Sequence, residues 1–179
     1  VVIANGAECE PLLRVDQQLM AMHPEMVVAG LELAMNATGA GQGIIALKKK
    51  YHPAIDALGA AIKEKRKISL FLLDNFYPAG DEHVLFHEVT DRLVPEGGIP
   101  IEAGAVVQNV GTLINIARAD QGEPVVDRPV TVGGAVKTPV TLNVPVGTMV
   151  DVLIKAAGGV TIPDPVVLLG GPMMGVVVD

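Results

Sequence analysis

Short, fully apolar runs alternate along the chain with longer stretches in which apolar residues recur at helical spacing. Val1–Ala4 is apolar throughout and closes on Asn5-Gly6, which predicts a buried strand followed by a turn. Pro24 at a first helical position, with Glu25 beside the positive end of the helix dipole, predicts a helix through Met26, Val27, Leu31, Ala34 and Met35, with Gly39 as its C-terminal cap. Gly43–Leu47 reads as the next strand. Pro53 opens a second helix with Ile55, Leu58 and Ile62 on one face, and Lys63, Lys65, Arg66 and Lys67 favour its C-terminal end. Ile68–Leu73 is a third apolar run. This order predicts an α/β fold with a parallel sheet, flanking helices and right-handed crossovers. A shorter helix is expected over Asp81–Thr90, and another over Gly111–Ala119, capped by Asn109.

The pattern changes after Gln121-Gly122-Glu123-Pro124. Short valine-rich runs follow, broken by glycine and proline: Pro129–Val132, Val140–Val144, Val166–Leu169 and Val176–Val178, with one helical stretch at Met149–Ala157. Two domains are therefore expected, over residues 1–122 and 126–179. The second is small enough to be marginal by itself.

Composition narrows the possibilities. The chain is 50% hydrophobic and only 18% charged, so it buries a core. Its net charge of −7 argues against general nucleic-acid binding. A single cysteine excludes a disulfide framework, and excludes an iron–sulfur cluster held by this chain's thiolates alone. The longest apolar runs are strand-sized, and no signal peptide is visible. The chain starts inside a strand with no initiating methionine, so a longer parent protein is expected, with part of the active site on a flank.

Three segments carry candidate chemistry. Asn5-Gly6-Ala7-Glu8-Cys9-Glu10-Pro11 follows the first strand, where open α/β sheets bind ligands. Its carboxylates suit a ribose, an amide or a reacting ring and repel a bare phosphate, although a turn with solvated glutamates is the simpler reading. Tyr77-Pro78-Ala79-Gly80-Asp81-Glu82 follows the third strand and brings an aromatic ring and two more acids to the same edge; taken alone, it is a helix cap. Gln108, Asn109 and Thr112 place amides and a hydroxyl at a helix start, suited to an anion or a flavin edge, or to capping alone. Gly39–Gly43 lies after a helix and before a strand, the reverse of a dinucleotide fingerprint. His83 and His87 lack a convergent third metal ligand, Lys48-Lys49-Lys50 reads as a short solvated run, Met173-Met174 as core or turn packing, and Cys9 has no committed base.

The order of these segments, followed by Gly170-Gly171-Pro172-Met173-Met174-Gly175, resembles the C subunit of Rnf-type electron transport complexes and, more distantly, the flavin- and NADH-binding subunit of respiratory complex I. The resemblance covers essentially the whole chain. It implies a Rossmann-like flavin/NADH domain lacking its N-terminal part, then a small β-grasp domain of the soluble-ligand-binding (SLBB) type. It also implies FMN and NAD(H) as cofactors of the parent, with 4Fe-4S clusters outside this chain. By that resemblance Asn5, Glu8 and Glu10 match an acidic loop beside flavin and nicotinamide. Tyr77, Gly80, Asp81 and Glu82 match a tyrosine–glycine–acid–acid segment, and Gln108, Asn109 and Thr112 an amide-rich flavin contact. Ala7, Cys9 and Asp81 stand where the complex I branch carries aspartate, glycine and glutamate. The family's glycine-rich phosphate loop would lie upstream and its cluster cysteines downstream. The implied partners are the other subunits of a membrane complex, NADH, and ferredoxin or a similar carrier. The implied setting is cytoplasmic, peripheral on the inner face of a bacterial membrane. The alternative is a ligand- or subunit-binding module, as in a cobalamin-reductase-like protein, with no redox chemistry in this chain.

Overall fold

Val2, Ile3 and Ala4 have no exposed surface, and successive strand residues point to opposite faces, so the first strand must be covered on both sides. In the computed structural model, which describes residues 1–178, this strand is β1 (Val2–Gly6). It sends Val2 and Ala4 into one apolar cluster and Ile3 into another. After β1 come α1 (Val15–Met22), α2 (Pro24–Thr38), β2 (Gly43–Lys48), α3 (His52–Ala61), β3 (Ile68–Leu73), α4 (Glu82–Thr90), a 3-10 turn at Pro100–Ala103, β4 (Val106–Asn109) and α5 (Val110–Asp120). The four strands form one sheet in the order β3-β2-β1-β4, with every neighbour parallel. Residues of α2, α3 and α5 build the core on one face. Leu85 and Phe86 of α4, with Ala103 and Ala105, build it on the other.

The helix at Pro24 ends on Gly39, which takes the left-handed conformation at φ 67° as a C-cap. Asp81 caps α4 by accepting from the His83 and Val84 backbone N–H groups at 3.0 and 3.1 Å. Two elements had no expectation: α1, and β4, whose four residues run straight into α5. One expectation is corrected. α3 stops at Ala61, so Lys63–Lys67 lies beyond it, in the turn to β3, rather than on its last turn. There Lys65 pairs with Glu32 of α2 at 2.8 Å, a half-exposed bridge contributing about 1 kcal/mol at most.

The chain divides into two units. Val1–Cys9 and Asp16–Pro124 form the first. Glu10–Val15 joins the residues from Val125 onward in the second. In that unit β5 (Asp127–Val132) pairs antiparallel with β6 (Val140–Pro145), α6 (Val150–Ala156) follows, and β7 (Val167–Leu169) pairs with β8 (Val176–Val178). Thr131 Oγ1 accepts from the Arg14 backbone N–H, which ties the Glu10–Val15 segment to β5. Asp179, the last residue of the expected second domain, lies outside the described residues. Among the described residues no helix is long and apolar enough to cross a membrane.

Candidate functional site

Strand order determines where a ligand site can form. From β1 the chain steps outward to β2 and β3, then returns to the far side of β1 as β4. At such a reversal the connections leave in opposite directions and open a crevice beyond the carboxyl ends of the two strands that flank it, here β1 and β4. Here those ends are Asn5 and Asn109, partners in the β1–β4 register.

The loop after β1 is locked to the loop after β3. The Asn5 amide donates to the Gly80 carbonyl at 2.8 Å and accepts from the Ala7 N–H at 3.1 Å. The Gly80 N–H donates to Cys9 Sγ at 2.9 Å. A methyl group at position 80 would strike the Ala7 carbonyl, so the close approach depends on glycine. The structure thus brings the first two candidate segments into direct contact.

A buried polar group lies behind this loop. Lys48 ends β2 and is only 5% exposed, which corrects its reading as solvated; Lys49 and Lys50 are exposed. Its Nζ donates to the Glu8 carbonyl at 2.8 Å, and the Tyr51 hydroxyl reaches the same oxygen at 3.4 Å. Burial pulls the Lys48 pKa down, against the opposing pull of Cys9 and Glu8. Burial, reinforced by Glu8, Asp16 and Cys9, pushes Tyr51 up to about 12, so it stays a donor at neutral pH. The Glu8 carboxylate accepts from the Asp16 N–H at 3.2 Å, in the first turn of α1.

Asp16 in turn accepts from the Asn109 amide at 2.9 Å. Burial raises its pKa, and that hydrogen bond offsets only part of the rise. A carboxyl whose folded pKa exceeds its unfolded value stabilises the fold most when protonated. Its contribution is full below about pH 4 and is lost as pH rises through the raised value. Asp16→Asn keeps an acceptor for Asn109 and removes the charge. It should therefore raise the urea midpoint more at pH 7 than at pH 4, and equal shifts at both pH values would refute this assignment.

Asn109 also caps α5, accepting from the Gly111 N–H at 2.8 Å, so its side chain links the β4 end, α5 and α1. Gln108 is half-buried one residue earlier in the β1–β4 ladder, and its side chain makes no hydrogen bond among the described residues. Thr112, Asp81 and Glu82 are exposed at the surface, and Tyr77 is 50% exposed ahead of a cis Pro78. Glu10 lies in the second unit. Its two carboxylate oxygens accept from the backbone N–H groups of Met173 and Met174 at 2.9 and 2.8 Å, beside a buried Gly171. Removing both charge-assisted bonds with Glu10→Ala should cost that unit about 2 kcal/mol and speed amide exchange at Met173 and Met174. Unchanged exchange there would sink this anchoring role.

The donor set can be compared with what it could hold. A free amide at Gln108 and a hydroxyl at Thr112 offer both donors and acceptors, as the polar edge of a flavin ring requires. The acids Glu8, Asp81 and Glu82 suit ribose hydroxyls and a carboxamide. The same acids disfavour phosphate. These residues therefore fit the ring of a flavin and the ring and ribose of a nicotinamide nucleotide, and not the phosphates of either. No group of three or more His, Cys, Asp or Glu able to hold a metal ion occurs among the described residues.

Sequence reasoning missed Lys48, Tyr51 and Asp16. For Lys48 a signal existed: it directly follows an apolar run, at the carboxyl end of a predicted strand. For Asp16 there was none, because α1 itself was not foreseen.

Residues 1–118 match the family model of the Nuo51 FMN-binding domain. The chain belongs to that family. Residues 129–177 match the SLBB domain. The chain is 49% identical over 97% of its length to a cobalamin reductase, PduS, of Citrobacter freundii, covering 38% of that protein. It is 41% identical over 98% of its length to the C subunit of the Na(+)-translocating ferredoxin:NAD(+) oxidoreductase complex of Acetobacterium woodii, covering 40% of it. Among solved structures, an NAD+-reducing [NiFe]-hydrogenase matches 87% of the chain and 32% of its own with a TM-score of 0.69 at 27% identity. The chain thus spans about two fifths of these curated relatives' length. It is a member of an electron-transfer oxidoreductase family whose relatives include subunits of multi-subunit ion-translocating complexes. The Rossmann-like sheet and the SLBB domain expected from the sequence are both present.

Proposed function

We propose that this chain is the nucleotide-facing part of an NADH-linked electron-transfer subunit. In this reading its FMN-binding-family domain holds the rings of FMN and NAD(H) in the crevice beyond β1 and β4, and electrons leave to iron–sulfur clusters carried elsewhere in the parent. The observation that carries it is the convergence of the acidic loop, the Gly80 loop and the amide-bearing start of α5 at the sheet's topological switch point. Bound flavin would supply the chemistry, accepting a hydride from the nicotinamide and releasing electrons singly.

The chain's own residues place the two rings. Gln108, Asn109 and Thr112, with Asn5, meet the polar flavin edge. Glu8, Asp81 and Glu82, with Tyr77 and Gly80, meet the nicotinamide and ribose. Glu10, matched to the same acidic loop by resemblance, belongs to this proposal only if it leaves the Met173–Met174 turn. The phosphate contacts would come from the remainder of the parent. The relatives' names suggest two electron partners, a ferredoxin-type carrier or a corrin. Partner subunits would hold the protein peripherally at a membrane.

The test is an anaerobic FMN titration of the full-length protein, followed by NADH. Tight binding and bleaching of the flavin by NADH is the expected result. Failure to bind either nucleotide would overturn the proposal.

A further inference from the structure

Among the described residues Lys48 is the one charged residue that is almost wholly buried, with 5% of its surface exposed. Burying an ammonium is costly unless a specific partner holds it. Yet Lys48 forms no ion pair among the described residues; its hydrogen bond goes to a backbone oxygen, the Glu8 carbonyl, at 2.8 Å. Methionine or leucine at the end of β2 would satisfy the sheet at less cost. The Tyr51 hydroxyl converges on the same oxygen from the start of α3, and the Glu8 carboxylate is engaged by the first turn of α1. Three elements thus meet at one residue of a loop whose neighbouring residues, Asn5, Ala7 and Cys9, are tied to one another and to Gly80.

We propose that Lys48 is a positioning residue: from behind the Asn5–Cys9 loop its ammonium fixes the Glu8 peptide, and so sets the direction in which the loop presents its acid and amide groups to the crevice. The inference rests on the nucleotide reading above for the identity of the ligand, but the hold on the loop is a property of this chain alone. Lys48 touches no ligand in this scheme. Its lowered pKa is consistent with a charge kept out of water to hold backbone. A geometry imposed this way matters for recognition, because a small displacement of the groups that orient a ligand is enough to lose the bound pose.

The experiment compares full-length wild type, Lys48→Met and Lys48→Arg. Lys48→Met should weaken NADH binding about tenfold, while FMN affinity stays within about threefold. Lys48→Arg retains a charged donor and should restore NADH affinity to within about threefold of wild type. Amide exchange at Ala7 and Gly80, measured without any nucleotide, should speed up in Lys48→Met and return toward wild type in Lys48→Arg. If wild type binds no NADH, the nucleotide reading fails, while the exchange measurement still tests the hold of Lys48 on the loop. Unchanged exchange in Lys48→Met overturns the proposal. So does faster exchange with NADH affinity unaltered, or a loss of affinity that arginine does not repair. Should Lys48→Met fail to fold, Tyr51→Phe removes the second donor to the same carbonyl; it should speed the same exchange and weaken NADH about twofold, and no change in either would overturn the assignment.

Discussion

Gly30→Ala should destabilise the first unit by about 3 kcal/mol or more, although alanine is the better helix former by about 1 kcal/mol. Gly30 faces α5 from the middle of α2. A Cβ there would lie 2.9 Å from Leu113 Cα and nearer still to its carbonyl. These are backbone atoms of a packed helix, so no rotamer change relieves the contact; α2 and α5 would have to separate, and both line the main core with Leu31, Val27, Leu113 and Val110. Gly59, within α3, has nothing within 4 Å of its added Cβ. The same substitution there should stabilise by up to about 1 kcal/mol. Urea denaturation of the two variants should give shifts of opposite sign. Equal and small shifts would show that α2 and α5 can slide apart at little cost.

Gly80→Ala should act more narrowly. Its Cβ would sit 2.9 Å from Cys9 Sγ and closer to the Ala7 carbonyl, in the gap across which the Asn5 amide and the Cys9 sulfur hold the two loops together. The loops must part, at a cost of about 1–3 kcal/mol. Helix content, which depends on the α2, α3 and α5 core, should be preserved. In the full-length protein, NADH affinity should fall at least about tenfold, the equivalent of about 1.4 kcal/mol. Wild-type affinity with a normal far-ultraviolet spectrum would show that contact between the Asn5 and Gly80 loops is dispensable for the site.

Much of the architecture was legible because it is written in local patterns. Apolar runs at Val2–Ala4, Gly43–Leu47 and Ile68–Leu73 read as strands of a sheet covered by helices on both faces. Pro24, Gly39 and Asp81 punctuate helices through backbone geometry that depends on few neighbours. β4 escaped notice because its residues Val106–Asn109 gain their strand conformation by pairing with β1, and its last residue also caps the next helix. α1 escaped because only Met20 of its eight residues is buried.

The sequence by itself therefore determined the α/β order, the valine-rich second unit and the three polar segments that follow strands or open helices. Those properties follow from periodicity and residue chemistry over a few neighbouring positions. Only the tertiary structure decided that β4 returns beside β1, which sets Asn5 against Asn109 at the switch point. It alone decided that Lys48 is a buried anchor while Lys49 and Lys50 are solvated, and that Glu10 holds the Met173–Met174 turn. Each of these depends on contacts between residues 40 to 164 positions apart, and no local pattern encodes which distant backbone atom a side chain will meet.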